Sequence, residues 1–240
     1  MANAELNGGT RLIARGRPYV VSFSGIDGAG KTTQIEALLV WLRDAGLKVR
    51  LLRFWDDITV ARGLRAGMSH NLFKSEKGVG SPLKPVQRRD KNVRGWYMTA
   101  ARLFLYLLDA VRLTFVVVTR SRKQADVVIF DRYIYDELAN LDLANPAIKA
   151  YVHLLLMLVP RPDVAFLLDA DPGQARARKP EYPLEFLHTS RASYLALSQL
   201  SNMAVMEPGG AEDVTRLVLK EVAGATVNRK ADAPQPLAYR

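Results

Sequence analysis

Cysteine is absent from the 240 residues. That excludes disulfides, thiolate metal sites and a cysteine nucleophile, and it fits a reducing cytoplasm. Histidine is scarce: His70, His153 and His188 are too scattered for a metal cluster. A long hydrophobic run is also missing. The longest, residues 103–118, is interrupted by Asp109 and Arg112 and is short for a membrane span, so a buried helix is expected and no membrane partner. Residues 1–17 hold no apolar stretch, which predicts a loose tail rather than a secretory leader.

Acidic residues are outnumbered. The chain carries 24 Asp and Glu against 34 Lys and Arg, a net charge of +10. Anionic ligands are implied, either nucleotides or nucleic acid. Arg62, Arg65, Lys74, Lys77, Lys84, Arg88, Arg89, Lys91 and Arg94 fall in one stretch, opposed by Glu76 and Asp90. On charge pattern alone this is a solvated face, a phosphate-binding wall or a nucleic-acid patch. The solvated face is the default, and an aromatic-interleaved stripe of the single-strand-binding kind is lacking.

What is present alternates. Short apolar runs at 19–25, 47–54, 126–131, 163–169 and 202–207 read as buried strands. Helical patterns lie between them: 32–45, closed by Gly46; about 91–122; Asn145 to Leu158, ended by Pro160; 191–200; and 211–222. Residues 68–90, with Gly78, Gly80, Pro82 and Pro85, read as a long basic loop. The expectation is one α/β domain over 18–222, a parallel sheet of about five strands with helices on both faces, and a tail at 223–240.

The first strand runs into Gly25-Ile26-Asp27-Gly28-Ala29-Gly30-Lys31-Thr32-Thr33. Glycine, four residues, then Gly-Lys-Thr is the phosphate-loop pattern, and an amphipathic helix follows as the pattern requires. The backbone N–H groups of Gly25, Gly28, Ala29, Gly30 and the residues after them can then face ATP phosphates at a helix N-terminus. Lys31 supplies a cation to the β- and γ-phosphates, and the Thr32 hydroxyl is a candidate magnesium ligand. ATP and Mg2+ are the expected cofactors. Nothing in the loop names the phosphoryl acceptor.

Three further features do. Asp27 lies inside the loop. Asp131-Arg132-Tyr133 ends the third strand. Ala-Asp-Pro-Gly-Gln-Ala-Arg-Ala-Arg-Lys-Pro and its continuation fill 170–198. Together these resemble thymidylate kinases, the nucleoside-monophosphate kinases that convert dTMP to dTDP, from about residue 19 to residue 200. The resemblance implies a P-loop NTPase fold with a short lid at about 172–183. It implies that Asp27 lies near the acceptor sugar and that Arg176 or Arg178 in the lid meets transition-state charge. Arg132 would grip the acceptor phosphate, Tyr133 would stand beside it, and Asp131 would order magnesium through water. Arg132 and Asp131 also stand where physics places a site, at a strand's carboxyl end beside the phosphate loop. Tyr182, Arg191 and Tyr194 extend the match as packing or lid-anchoring residues. A homodimer joined through helices is a further implication.

The match departs from the pattern on the acceptor side. Family members carry an aromatic- or arginine-proline motif after the second strand, and this chain has Arg53-Phe54-Trp55-Asp56-Asp57. Phe54 is the candidate for the aromatic role. The arginine expected on the following helix is Arg102 or Arg112, and the stacking residue is one of Trp96, Tyr97, Phe104 and Tyr106. Asp136, Glu137 and Asn140 stand where members place small or amide residues. Two other readings follow: a kinase of the same fold for another nucleotide or a polynucleotide end, and an ATP-switched nucleic-acid-binding protein. The arginine pair after the fourth strand argues against the switch.

Overall fold

The computed structural model describes residues 18–60, 96–120 and 125–231. The expected tail at 1–17 and the basic loop at 68–90 lie outside the described residues.

Five strands form one parallel sheet: β1 (Tyr19–Ser24), β2 (Val49–Arg53), β3 (Val127–Asp131), β4 (Val164–Leu168) and β5 (Ala204–Met206), in the order β2-β3-β1-β4-β5. The central strands are buried along their whole length, as a sheet covered on both faces demands. Alternate residues of β1 serve different layers. Tyr19, Val21 and Phe23 meet Ile35, Leu38 and Leu42 of α1 (Lys31–Asp44) and Val218 and Val222 of the C-terminal helix. Val20 points the other way, into a larger core built on the remaining helices.

Those helices are α2 (Trp96–Phe115, extended by a wide π-type turn at Val116–Arg120), α3 (Ile134–Leu138), α4 (Pro146–Leu158), α5 (Pro172–Arg178) and α6 (Leu184–Ser201). Asn145 caps α4 with its side-chain oxygen, and Pro146 fits the first turn. Asp109, which breaks the long apolar run, is fully buried in α2 and accepts the Val60 N–H at 2.7 Å. The acid there satisfies a backbone donor and does not face solvent.

Two expectations change. The short helix α3 was not apparent, because it is only five residues long and its cap comes from Asp136 reaching back to the Tyr133 N–H. The last helix, α7 (Ala211–Ala231), runs on past 222, so residues 223–231 are not tail. Gly224 did not stop it. A helical glycine costs only about 1 kcal/mol, and alanines flank it.

Candidate active site

The sheet order reverses direction around β1. Its following helix packs on one face, while the helix after β3 packs on the other. Ligands bind outside the carboxyl ends of strands at such a point. The phosphate loop leaves β1 there, and Asp131 and Arg132 leave β3. The Arg132 N–H donates to the Phe23 carbonyl at 2.9 Å, which fixes the two segments side by side.

The loop conformation needs its glycines. Gly25 has φ 140°, and a β-carbon there would fall 2.5 Å from the Leu168 carbonyl oxygen. Gly28 has φ 84°, and a β-carbon would collide with the Ala175 carbonyl. The second contact sets α5 directly on the phosphate loop. Lys31 is buried, and its ammonium donates to the Gly25 and Ile26 carbonyls at 2.9 and 2.8 Å. Burial, then the neighbouring Arg132, lowers its pKa to about 8. Thr32 and Thr33 are exposed at the start of α1.

Arg132 is the most constrained side chain of the site. Its backbone adopts a left-handed conformation at φ 67°, uncommon for a non-glycine residue. Its guanidinium pairs with Asp27 and, at 3.1 Å, with Asp136. It lies over the Trp55 ring, 4.4 Å from the centroid. Burial opposes its charge, but Asp136 foremost, then Tyr194 and Asp27, hold it more firmly protonated than a free arginine.

Asp136 is fully buried and fully used. One oxygen accepts from the Ser24 hydroxyl at 2.7 Å and the Tyr133 N–H at 3.1 Å. The other accepts from Arg132 and from the Tyr194 hydroxyl at 2.7 Å. A carboxylate has about four such positions. Burial first, and Asp136 second, push the Tyr194 hydroxyl well above the usual tyrosine range, so it stays a donor.

A shallow hollow opens over this group, lined by the Gly25–Asp27 segment, Trp55, Arg132, Asp136, Asn140, Ser190 and Tyr194, among others. A second lies across the loop, with Ala29, Asp169, Gln174, Arg178 and Glu207 in its walls. The exposed Arg178 donates through Nε to the Gln174 carbonyl at 3.3 Å. Arg176 is half-buried in the same turn of α5. Arg191 is held by Asp169 through two bonds of 2.6 Å, tying α6 to the end of β4. Asp131 is half-buried, and its charge favours the protonated form of Lys31.

Some expected residues are placed elsewhere. Phe54 is fully buried and packs on Tyr133. The π-type turn at Phe54–Ile58 buries Phe54 and Ile58 and turns the residues between them outward, so Trp55 lines the hollow instead. Tyr133 is itself core, and its hydroxyl donates to the Pro160 carbonyl. Arg102 is half-buried and Arg112 exposed, and neither is among the described residues that line these two hollows. Tyr106 is core and Phe104 exposed, while the side chains of Trp96 and Tyr97 lie outside those described. Asp57 accepts the Arg53 N–H at 2.8 Å and so closes the turn. The sequence did not point to Trp55 or to the hub role of Asp136, and it offered Tyr194 as a packing or lid-anchoring residue. An exposed tryptophan beside a strand end was the one local signal.

The sheet order and the loop after β1 define a P-loop NTPase fold with a hollow on each side of the phosphate loop. Comparison with known proteins narrows this. The chain is 27% identical over 223 residues to a probable thymidylate kinase of Pyrococcus abyssi, covering 87% of this chain and 99% of that one. It is 27% identical over 205 residues to a probable thymidylate kinase of Methanosphaera stadtmanae, covering 82% and 93%. It is 25% identical over 236 residues to a thymidylate kinase of Pelobacter propionicus, covering 90% and 98%. No family model matches. Among solved structures, the thymidylate kinase of Ehrlichia chaffeensis has the same fold, with a TM-score of 0.51 at 20% identity over 86% of this chain and 99% of that one. The chain thus resembles thymidylate kinases over nearly their full length.

Proposed function

We propose that this protein transfers the γ-phosphoryl group of ATP to a nucleoside monophosphate, with dTMP as the acceptor. The observation that carries the reading is Arg132, a guanidinium fixed beside the phosphate loop and lining the hollow at the carboxyl end of β3. Full-length similarity to thymidylate kinases names the acceptor.

The Gly25–Thr33 loop holds the ATP phosphates, and Lys31 swings from its loop carbonyls to their charge. Arg132 grips the acceptor phosphate, and Asp27, released from Arg132, faces the acceptor sugar. The attacking phosphate oxygen is already ionised, so no strong base is needed. Positioning and charge neutralisation do most of the catalysis. Arg176 or Arg178 on α5 meets the charge that develops between donor and acceptor, and α5 over the loop excludes water. Thr32 and Asp131 suit Mg2+: an exposed hydroxyl and a half-buried carboxylate supply hard oxygen ligands. Magnesium, when bound there, neutralises phosphate charge, and most of its ligands would be phosphate and water.

We also read the enzyme as a cytoplasmic homodimer. No described helix is long and apolar enough to cross a membrane. Phe104, Val111, Phe115 and Val118 are all exposed and recur at heptad spacing along α2, a pattern suited to the same helix of a second copy.

A panel of nucleoside monophosphates with ATP and magnesium tests the function. Turnover should be greatest with dTMP. Turnover of a different monophosphate would overturn the substrate assignment, and turnover of none would overturn the function.

A further inference from the structure

One wall of the acceptor hollow comes from the turn after β2, where Trp55 stands beside Arg132. The turn that carries it is anchored on both sides. Phe54 and Ile58 are fully buried, Asp57 accepts the Arg53 N–H, and the Phe54 carbonyl accepts the Thr59 N–H at 3.0 Å. Trp55, 41% exposed, therefore stands on a rigid support at the mouth of the hollow. Its indole N–H donates to the Glu137 carboxylate at 3.1 Å, which ties the β2 turn to α3. One face of the ring lies against the Arg132 guanidinium.

Arg132 is otherwise held from its edges. Asp27 takes Nη2 and Asp136 takes Nη1, and both contacts act in the guanidinium plane. Neither stops the plane from tilting about the line between the two carboxylates. Once an acceptor phosphate displaces Asp27, the in-plane restraint falls to Asp136 alone. The Trp55 ring, its centroid 4.4 Å from the guanidinium carbon, adds a restraint without using a donor N–H, so the outer donors stay available for phosphate.

The geometry points to Trp55, tethered by Glu137, as a positioning residue: it fixes the plane of Arg132 for bidentate capture of the acceptor phosphate. This rests on the reading of Arg132 as the acceptor anchor. It predicts a split between the two substrates, because Trp55 touches nothing on the donor side.

The wild-type protein is first assayed with the monophosphate panel, and the acceptor it uses is then kept for the variants. Trp55→Ala should raise the KM for that acceptor about tenfold, with the KM for ATP within about twofold. Trp55→Phe keeps a flat ring and should return the acceptor KM to within about threefold of wild type. Glu137→Leu should shift it in the same direction as Trp55→Ala, but less. If Trp55→Ala does not fold, the Phe and Leu variants carry the test. An unchanged acceptor KM in Trp55→Ala, an equal rise in both KM values, or no rescue by Phe overturns the assignment. A ligand-free measurement separates this from the choice of acceptor. In a Trp41→Phe/Trp96→Phe background, Trp55 is the remaining tryptophan of the three. Arg132→Ala should then change its fluorescence, and identical emission with and without Arg132 would show that the stack does not exist in solution.

Discussion

Lys31 carries its charge at a cost, since burial lowers its pKa from 10.5 to about 8. ATP phosphates favour the protonated form and raise that value again on binding. Above pH 8, binding must therefore take up a proton, and affinity falls as pH rises from about 8 towards 10. Calorimetric titration at pH 9 in two buffers of different ionisation enthalpy should show net proton uptake. Lys31→Met should lose that uptake and phosphoryl transfer together. Asp136 offers a second test at this scale. Its loss strands Arg132, the Ser24 hydroxyl and the Tyr194 hydroxyl in a buried setting. Asp136→Ala should lose about 3–5 kcal/mol of stability by chemical denaturation, the range for breaking one side of a buried pair. The two residues differed in legibility. Lys31 was plain because its partners are its own loop, five and six residues away. Asp136 was not, because Ser24 and Tyr194 come from 112 residues before it and 58 after it, and only tertiary packing brings them together.

Among the elements, α5 bears most directly on chemistry. Its Ala175 carbonyl lies where a side chain at Gly28 would go, so the helix and the phosphate loop fit each other without a spacer. Arg176 and Arg178 ride in its last turn. Arg176→Ala and Arg178→Ala should act on kcat rather than on either KM, and the critical one of the pair should cost on the order of 10³-fold. Steady-state kinetics of both single variants and the double variant decide which it is, and normal turnover in all three removes α5 from the mechanism. The five strands could be read from apolar runs, because a fully buried parallel strand tolerates little else. The turn after β2 could not. Whether Phe54 or Trp55 faces the hollow depends on the wide π-type turn that buries residues four apart, and Phe-Trp-Asp-Asp-Ile carries no periodicity to announce it.

At the scale of the whole molecule, the exposed stripe on α2 has a direct consequence for assembly. Light scattering after size-exclusion chromatography should give twice the chain mass of 26.7 kDa. Phe104→Glu with Phe115→Glu should shift the protein to a monomer while leaving its circular dichroism spectrum unchanged. A wild-type monomer at micromolar concentration would remove the interface.

Among the described residues the two hollows share no lining residue, although both take part of their walls from the Gly25–Lys31 segment. The acceptor side is otherwise walled by the β2 turn, α3 and α6, and the donor side by α5 and the approach to α7. This separation bears on descent. A duplicated copy of such a gene could drift in Trp55, Asn140 or Ser190 and acquire a new acceptor while its hold on ATP passed on intact. The reverse drift, in Arg178 or Glu207, would retune the donor and leave the acceptor alone. Among the described residues only the loop between them is answerable to both, which makes it the segment that inheritance can least afford to vary.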